Sequence, residues 1–126
     1  MRKMLVAGAL GALMLGGCIS TPDASGSRWA PSLAALQSMC GGGVVDYATD
    51  AQGVYSAFLD AYVAQKRGKL PKEQFCAFQA GIAGQYAAFN ASRTAAAQSA
   101  WASFFADQRA QALSWRAAVD PTLRAG

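Results

Sequence analysis

Beyond residue 30 the chain is rich in Ala and poor in β-branched residues, and Gly or Pro marks plausible ends of segments, a pattern that favours helices. Four helices are predicted: Ser32 to about Met39 or Cys40, Thr49 or Asp50 to Lys66 or Arg67, residues 72–90, and about Ala95 to Val119. The sequence therefore predicts an all-α bundle of about four helices over residues 31–126.

Apolar residues recur at spacings of three and four within these segments, which gives each helix a buried face. The second helix has its apolar face at Val54, Tyr55, Phe58, Leu59 and Tyr62, and it is expected on the surface of the core. The third helix has an aromatic stripe at Phe75, Phe78, Ile82, Tyr86 and Phe89. Nearly opposite lies a stripe of small residues at Cys76, Ala80, Gly84, Ala87 and Ala88. Two apolar faces predict that this helix is sandwiched at the centre of the domain.

The hydrophobic stripe loses phase around residues 90–94, which predicts a break or kink there, with one uninterrupted helix as the alternative. After the break a new stripe follows the last helix at Trp101, Phe104, Phe105, Gln108, Ala112, Trp115 and Val119. Asp120-Pro121 is expected to end this helix, because the residue before a proline avoids helical geometry.

The first residues form a separate unit with its own pattern. Arg2-Lys3 precedes an apolar run from Met4 to Leu15, and the run ends in Leu15-Gly16-Gly17-Cys18. The run is too short to span a bilayer, and the order of regions is that of a secretory signal. Residues 1–18 resemble the lipobox signal of bacterial lipoprotein precursors. The resemblance implies removal of residues 1–17 and attachment of acyl chains such as palmitate at Cys18, which anchor the protein in a membrane.

Residues 18–30 are mostly small, polar or helix-breaking, which predicts a flexible tether between the lipid and the domain. Residue 19 is Ile, and in enteric-type sorting an Asp at this position retains lipoproteins at the inner membrane. The resemblance therefore implies the periplasmic face of the outer membrane. Without residues 1–17, nine basic and seven acidic residues remain, and no long basic cluster argues for nucleic acid as a partner.

Cys40 and Cys76 remain after Cys18 is assigned to lipid, and in an oxidising compartment such a pair indicates a disulfide. The bond requires residues 41–49 to run extended along the bundle to the start of the second helix, which about 3.3 Å per residue just allows. Two buried free thiols are the alternative. Gly41-Gly42-Gly43 follows the first helix and is interpreted as its C-terminal cap.

Enzyme chemistry has little support in this sequence. Histidine is absent, which removes the commonest general base and metal ligand. The acidic residues are scattered, and Asp46, Asp50 and Asp60 are interpreted as helix caps or solvated positions. No motif for a nucleophile, a phosphate loop or a redox dithiol appears. We expect a protein that is not an enzyme and needs no metal or cofactor.

All thirteen aromatic residues follow residue 28, and most of them are expected to fill the core. A functional alternative is that Trp101, Phe104 and Trp115 line a groove that binds a helix of a protein partner or an acyl chain. The first functional hypothesis is a non-catalytic binding or assembly module, similar to pilotin lipoproteins in class only. The other is an immunity, entry-exclusion or inhibitor lipoprotein that blocks a protein partner.

Overall fold

The structure is a computed structural model and describes residues 24–26 and 30–124. Its helices are α1 (Leu33–Ser38), α2 (Ala51–Lys66), α3 (Lys72–Ser92), α4 (Ala95–Val119) and the short α5 (Pro121–Arg124), and a 3-10 turn at Ala48–Asp50 precedes α2. The predicted all-α bundle is confirmed. Its four main helices begin and end within about three residues of the predicted bounds.

Local chemistry explains where the helices begin and end. The hydroxyl groups of Ser32 and Thr94 each accept a 3.0 Å hydrogen bond from a first-turn backbone N–H of α1 and α4. Gly41 and Gly68 follow α1 and α2 with φ of 79° and 85°, which glycine adopts without strain. Arg93 has φ of 52° and ends α3, so the break predicted at residues 90–94 is confirmed.

Helices α2, α3 and α4 form a three-helix bundle. Phe58 packs against Phe78 and Tyr62 against Phe75, so α2 and α3 are antiparallel. Along the α3–α4 contact, Phe78 meets Trp115 and Tyr86 meets Trp101, which makes this pair antiparallel as well. As a result α2 and α4 run parallel, and α3 connects the end of α2 to the start of α4.

The central helix is α2, contrary to the expectation that it lies on the surface of the core. It carries seven buried residues: Val54, Tyr55, Ala57, Phe58, Leu59, Ala61 and Ala64. Small residues explain its close contact with α4, because a Cβ at Gly53 would lie 3.3 Å from the Phe105 ring. The apolar pattern of α2 extends to alanines beyond the aromatic stripe, so the helix is buried on more than one side.

The prediction that α3 is sandwiched at the centre is wrong. Its aromatic stripe is buried as expected, but Ala80, Gly84, Ala87 and Ala88 are exposed. A Cβ at Gly84 would have no neighbour within 4 Å. A stripe of small residues permits close approach by another helix but does not require it, and in this fold the helices α2 and α4 take up the close contact.

Helix α1 is joined to α3 by the Cys40–Cys76 disulfide, with the two Cα atoms 5.5 Å apart. The buried Gln79 side chain donates a 2.9 Å hydrogen bond to the Leu36 carbonyl, which ties the same two helices together. From Cys40 the chain returns without regular structure to Tyr47, whose ring lies 4.9 Å from that of Tyr86. The predicted disulfide and the predicted return along the bundle are both confirmed.

An ion pair locks α2 to α4. Arg116 donates a 2.9 Å hydrogen bond to the Asp60 carboxylate, and its Nε lies 3.5 Å from Asp120. The interpretation of Asp60 as a cap or solvated residue is therefore wrong, because its side chain joins two helices. Hydrogen bonds from Thr122, and to a smaller extent the positive charge of Arg116, lower the pKa of Asp120 at the end of α4.

The segment that the sequence assigns to the tether contributes contacts to the domain. The Ala24 carbonyl accepts a 2.9 Å hydrogen bond from the Leu33 backbone, and Ala24 and Ala30 pack partly buried against the core. Cys18 and residues 1–17 lie outside the described residues.

Replacing both Cys40 and Cys76 with Ser should lower the free energy of unfolding by about 4 kcal/mol, because the bond closes a loop of some 37 residues in the unfolded chain. Urea titration monitored by circular dichroism measures this loss. The Cys18→Ser variant is the matched control and should match the unmodified chain. An unchanged unfolding midpoint in the double variant would contradict the stabilising role of the bond.

Candidate functional site

The outward side of α3 carries no charged side chain from Gln74 to Ser92, although much of it is exposed. Its centre is a row of exposed small residues at helical spacing, which we call the outer α3 stripe: Ala77, Ala80, Gly84, Ala87 and Ala91. A helix face in contact with water usually carries charged or strongly polar residues. This face is uncharged, and the groups that it exposes to water along its centre are small.

A groove of about 640 Å³ adjoins the N-terminal half of this stripe. It lies between α3 and the chain that returns from Cys40, and we call it the α3 groove. Its walls are Gln37, Cys40, Gly42, Gly43, Val45, Tyr47, Phe58, Glu73, Cys76, Ala77, Gln79, Ala80 and Ala83. Most of these residues are small or apolar, and Glu73 supplies a single charge at one end.

Two glutamines hold the groove in shape. The Gln37 amide oxygen accepts a 2.9 Å hydrogen bond from the Val45 backbone N–H, and its amide nitrogen donates to the Val45 carbonyl at 3.4 Å. Gln79, which lines the groove from α3, donates its hydrogen bond to the Leu36 carbonyl of α1. Together with the disulfide these bonds fix both walls, so the groove exists before any ligand binds.

Tyr47 forms part of the groove's floor and has an unusual environment. Its side chain is only 1% exposed, and its hydroxyl has no hydrogen-bond partner among the described residues. Burial, with a smaller contribution from Tyr86, raises the pKa of Tyr47 to about 12. The phenol therefore stays neutral at physiological pH, and its value to the fold is the packing of its ring against Phe58 and Tyr86.

A second depression, of about 590 Å³, lies at the end of the bundle where α2 and α4 begin. Tyr86, Phe89, Trp101 and Phe105 supply aromatic surface there, and Asp50, Arg93 and Arg109 supply charges of both signs. The Arg93 guanidinium lies 4.6 Å from the centre of the Phe89 ring. The two arginines and the one aspartate give this depression a net charge of +1.

The three aromatic residues predicted to bind a partner all lie on the side of α4 that faces α3. Trp101 is 4% exposed and packs against Tyr86 and Phe105, and its edge lines the second depression. Trp115 packs on Phe78, and Phe104 lies near Gly81. Their rings thus join two helices of the fold, and Phe104 and Trp115 are not among the residues that line either depression.

The small residues of α3 are visible in the sequence, but their pattern predicts an interior position that they do not have. The absence of charge on this helix indicates burial and so supports the wrong assignment. The contrary signal is the set of alanines on α2, which compete for the central position. The α3 groove has no sequence signal, because it forms where a disulfide holds an irregular segment against a helix.

The described part of the chain contains no cluster of three His, Cys, Asp or Glu side chains suited to a metal ion. Within residues 24–26 and 30–124, no helix is long and apolar enough to cross a bilayer. The chemistry that the outer α3 stripe and the α3 groove do offer is non-covalent contact with an apolar, closely fitting surface.

Replacing Tyr47 with Phe should raise the free energy of unfolding by about 1 kcal/mol, because the change removes a buried hydroxyl without a partner and keeps the ring. The fold raises the pKa of the Tyr47 phenol from 10.0 to about 12, so folding favours the protonated phenol. The stabilisation that this proton contributes is complete below pH 10 and is lost as the pH rises toward 12. The advantage of the variant should therefore widen between pH 10 and 12. Urea titrations at pH 7 and across this range measure both effects, with the half-buried Tyr62→Phe as control. A destabilised Tyr47→Phe variant would show that the hydroxyl has a partner.

No known protein family, no curated protein and no solved structure shows significant similarity to this chain.

Proposed function

We propose that this protein is a lipid-anchored, non-catalytic binding module that docks a helix of another envelope protein against the outer α3 stripe and the α3 groove. The observation that carries the proposal is an exposed, charge-free helix face next to a fixed apolar groove. Depletion of charged residues distinguishes the centres of protein interfaces from ordinary protein surface.

The small side chains of the stripe suit a helical partner. Small side chains project little from the surface of α3 at Ala77, Ala80, Gly84 and Ala87. A partner's backbone can therefore approach closely and place its larger side chains on either side. The α3 groove then offers a depression for an apolar anchor residue, because it is lined mainly by small and apolar groups. Binding through a preformed surface costs little ordering of this domain.

The compartment in the proposal comes from the first eighteen residues and agrees with the disulfide. Arg2-Lys3, the apolar run and Leu15-Gly16-Gly17-Cys18 resemble a lipoprotein signal. The Cys40–Cys76 bond suits an oxidising compartment such as the periplasm. An anchored binding module at the outer membrane would resemble pilotins in class, and an inhibitory lipoprotein would use the same kind of surface against a toxin or conjugation protein.

The Cys18→Ser variant should lose acylation and move from the membrane fraction to the soluble periplasmic fraction, because no thiol remains to accept the lipid. Intact-mass analysis of protein purified from membranes, together with fractionation of the variant, measures both effects. Cys76→Ser is the control, because it removes a cysteine but leaves Cys18 in place. Unmodified protein with a mass that includes residues 1–17 would contradict the proposed anchor.

A photo-crosslinking residue at Ala80 or Ala87 should give a discrete adduct with one envelope protein in intact cells, because both positions lie on the outer α3 stripe. The matched controls are the exposed Ala100 and Ala110 of α4, which should give no such adduct. Lysine at Ala87 should abolish the adduct formed from Ala80 without lowering stability, since Lys is a good helix former at an exposed site.

The identity of the crosslinked protein separates the two functional candidates. A secretin or another assembly component favours the assembly module, and a toxin or conjugation protein favours the inhibitor. Equal adducts from α3 and α4 positions, or none from α3, would contradict the docking surface.

A further inference from the structure

The turn between α2 and α3 concentrates positive charge at one end of the bundle. Lys66, Arg67, Lys69 and Lys72 lie within seven residues, and all four are exposed. The described chain has only four other basic residues, which are Arg93, Arg109, Arg116 and Arg124. Half of its positive charge is thus placed at a single corner, and Glu73 is the acidic residue next to it in sequence.

The fold uses one of these four cations and leaves the lysines available. Arg67 donates a 2.9 Å hydrogen bond to the Val119 carbonyl at the end of α4. Lys66 lies 5.8 Å from the centre of the Tyr62 ring, at the limit of a cation–π contact. The ion pairs formed among the described residues both belong to Arg116, so no carboxylate of a described residue lies within 4 Å of the three lysine ammonium groups.

We infer that this corner, which we call the lysine turn (Lys66, Lys69 and Lys72), contacts the anionic headgroups of a phospholipid membrane. The three ammonium groups are exposed and line neither of the two depressions, and they suit a surface with many negative charges. Leu70 at the tip is 3% exposed, so the contact is electrostatic and inserts no apolar side chain. Clusters of lysines beside a membrane anchor are attracted to anionic lipids in this way.

The geometry of the chain allows this contact to occur at the membrane that holds the anchor, a point that rests on the proposed lipidation of Cys18. The Tyr55 hydroxyl donates a 2.8 Å hydrogen bond to the Pro31 carbonyl, which places the residues before α1 beside the second turn of α2. From there the lysine turn lies about 16 Å along α2. The six residues from Cys18 to Ala24 span up to roughly 20 Å, enough to bring the turn to the bilayer surface.

Vesicle binding by the full chain tests the inference. Every protein in the series carries Cys18→Ser, so no acyl chain contributes and the differences between variants report the lysines. The probes are phosphatidylcholine vesicles with and without phosphatidylglycerol, and the variant is Lys69→Gln/Lys72→Gln. Each lysine should contribute about fivefold to binding of anionic vesicles, so the double variant should bind roughly 25-fold more weakly. Binding by the unmodified chain should fall as ionic strength rises.

The matched control is Arg93→Gln/Arg109→Gln, which removes the same charge at the opposite end of the bundle. It should keep most of the binding to anionic vesicles, and circular dichroism verifies that both variants are folded. Equal losses in the two variants would overturn the inference, because net charge alone would then explain binding. The inference would also be overturned if the chain bound both vesicle types equally, or if it bound polyglutamate more tightly than it bound anionic vesicles. If the vesicle results are as expected but Cys18 is not acylated in cells, the lysine turn is supported and the proposed anchor is contradicted.

Discussion

The covalent bond between Cys40 and Cys76 determines the path of the first half of the chain. It holds the end of α1 beside the first turn of α3, so the next residues must return along the bundle before α2 can begin. The same constraint forms the α3 groove, because the returning segment cannot pack as a helix and leaves space beside α3. Gln37 then satisfies the backbone N–H and carbonyl of Val45 in this segment, and Gln79 satisfies the Leu36 carbonyl in α1.

Competition between small residues decides which helix is central. Both α2 and α3 have an aromatic face and a face of small residues, and pattern alone does not rank them. In the structure α2 packs its small face against α4, where Gly53 lies under Phe105, and the Asp60–Arg116 pair reinforces the contact. Among the described residues, the outer α3 stripe is left without an intramolecular partner.

Helix bounds, the break at Arg93 and the disulfide could be predicted because each depends on local signals: Ser32 and Thr94 as caps, glycines after helices, and an even pair of cysteines. The site could not be predicted in the same way. The aromatic residues Trp101, Phe104 and Trp115 and the alanines of α3 are both apolar at helical spacing, and only tertiary packing distinguishes the covered set from the exposed one.

The distribution of charge relates the two proposed surfaces to each other. Helix α3 begins at the lysine turn with Lys72 and then carries no charge from Gln74 to Ser92, so its cationic end and its neutral face adjoin each other on one rigid element. If the lysine turn rests on anionic headgroups, the axis of α3 points away from the bilayer and the outer α3 stripe faces sideways. A partner helix that rises from the same membrane would then meet the stripe along its length. If Cys18 is lipidated as proposed, the six residues from Cys18 to Ala24 would keep the domain close enough to the bilayer for this encounter.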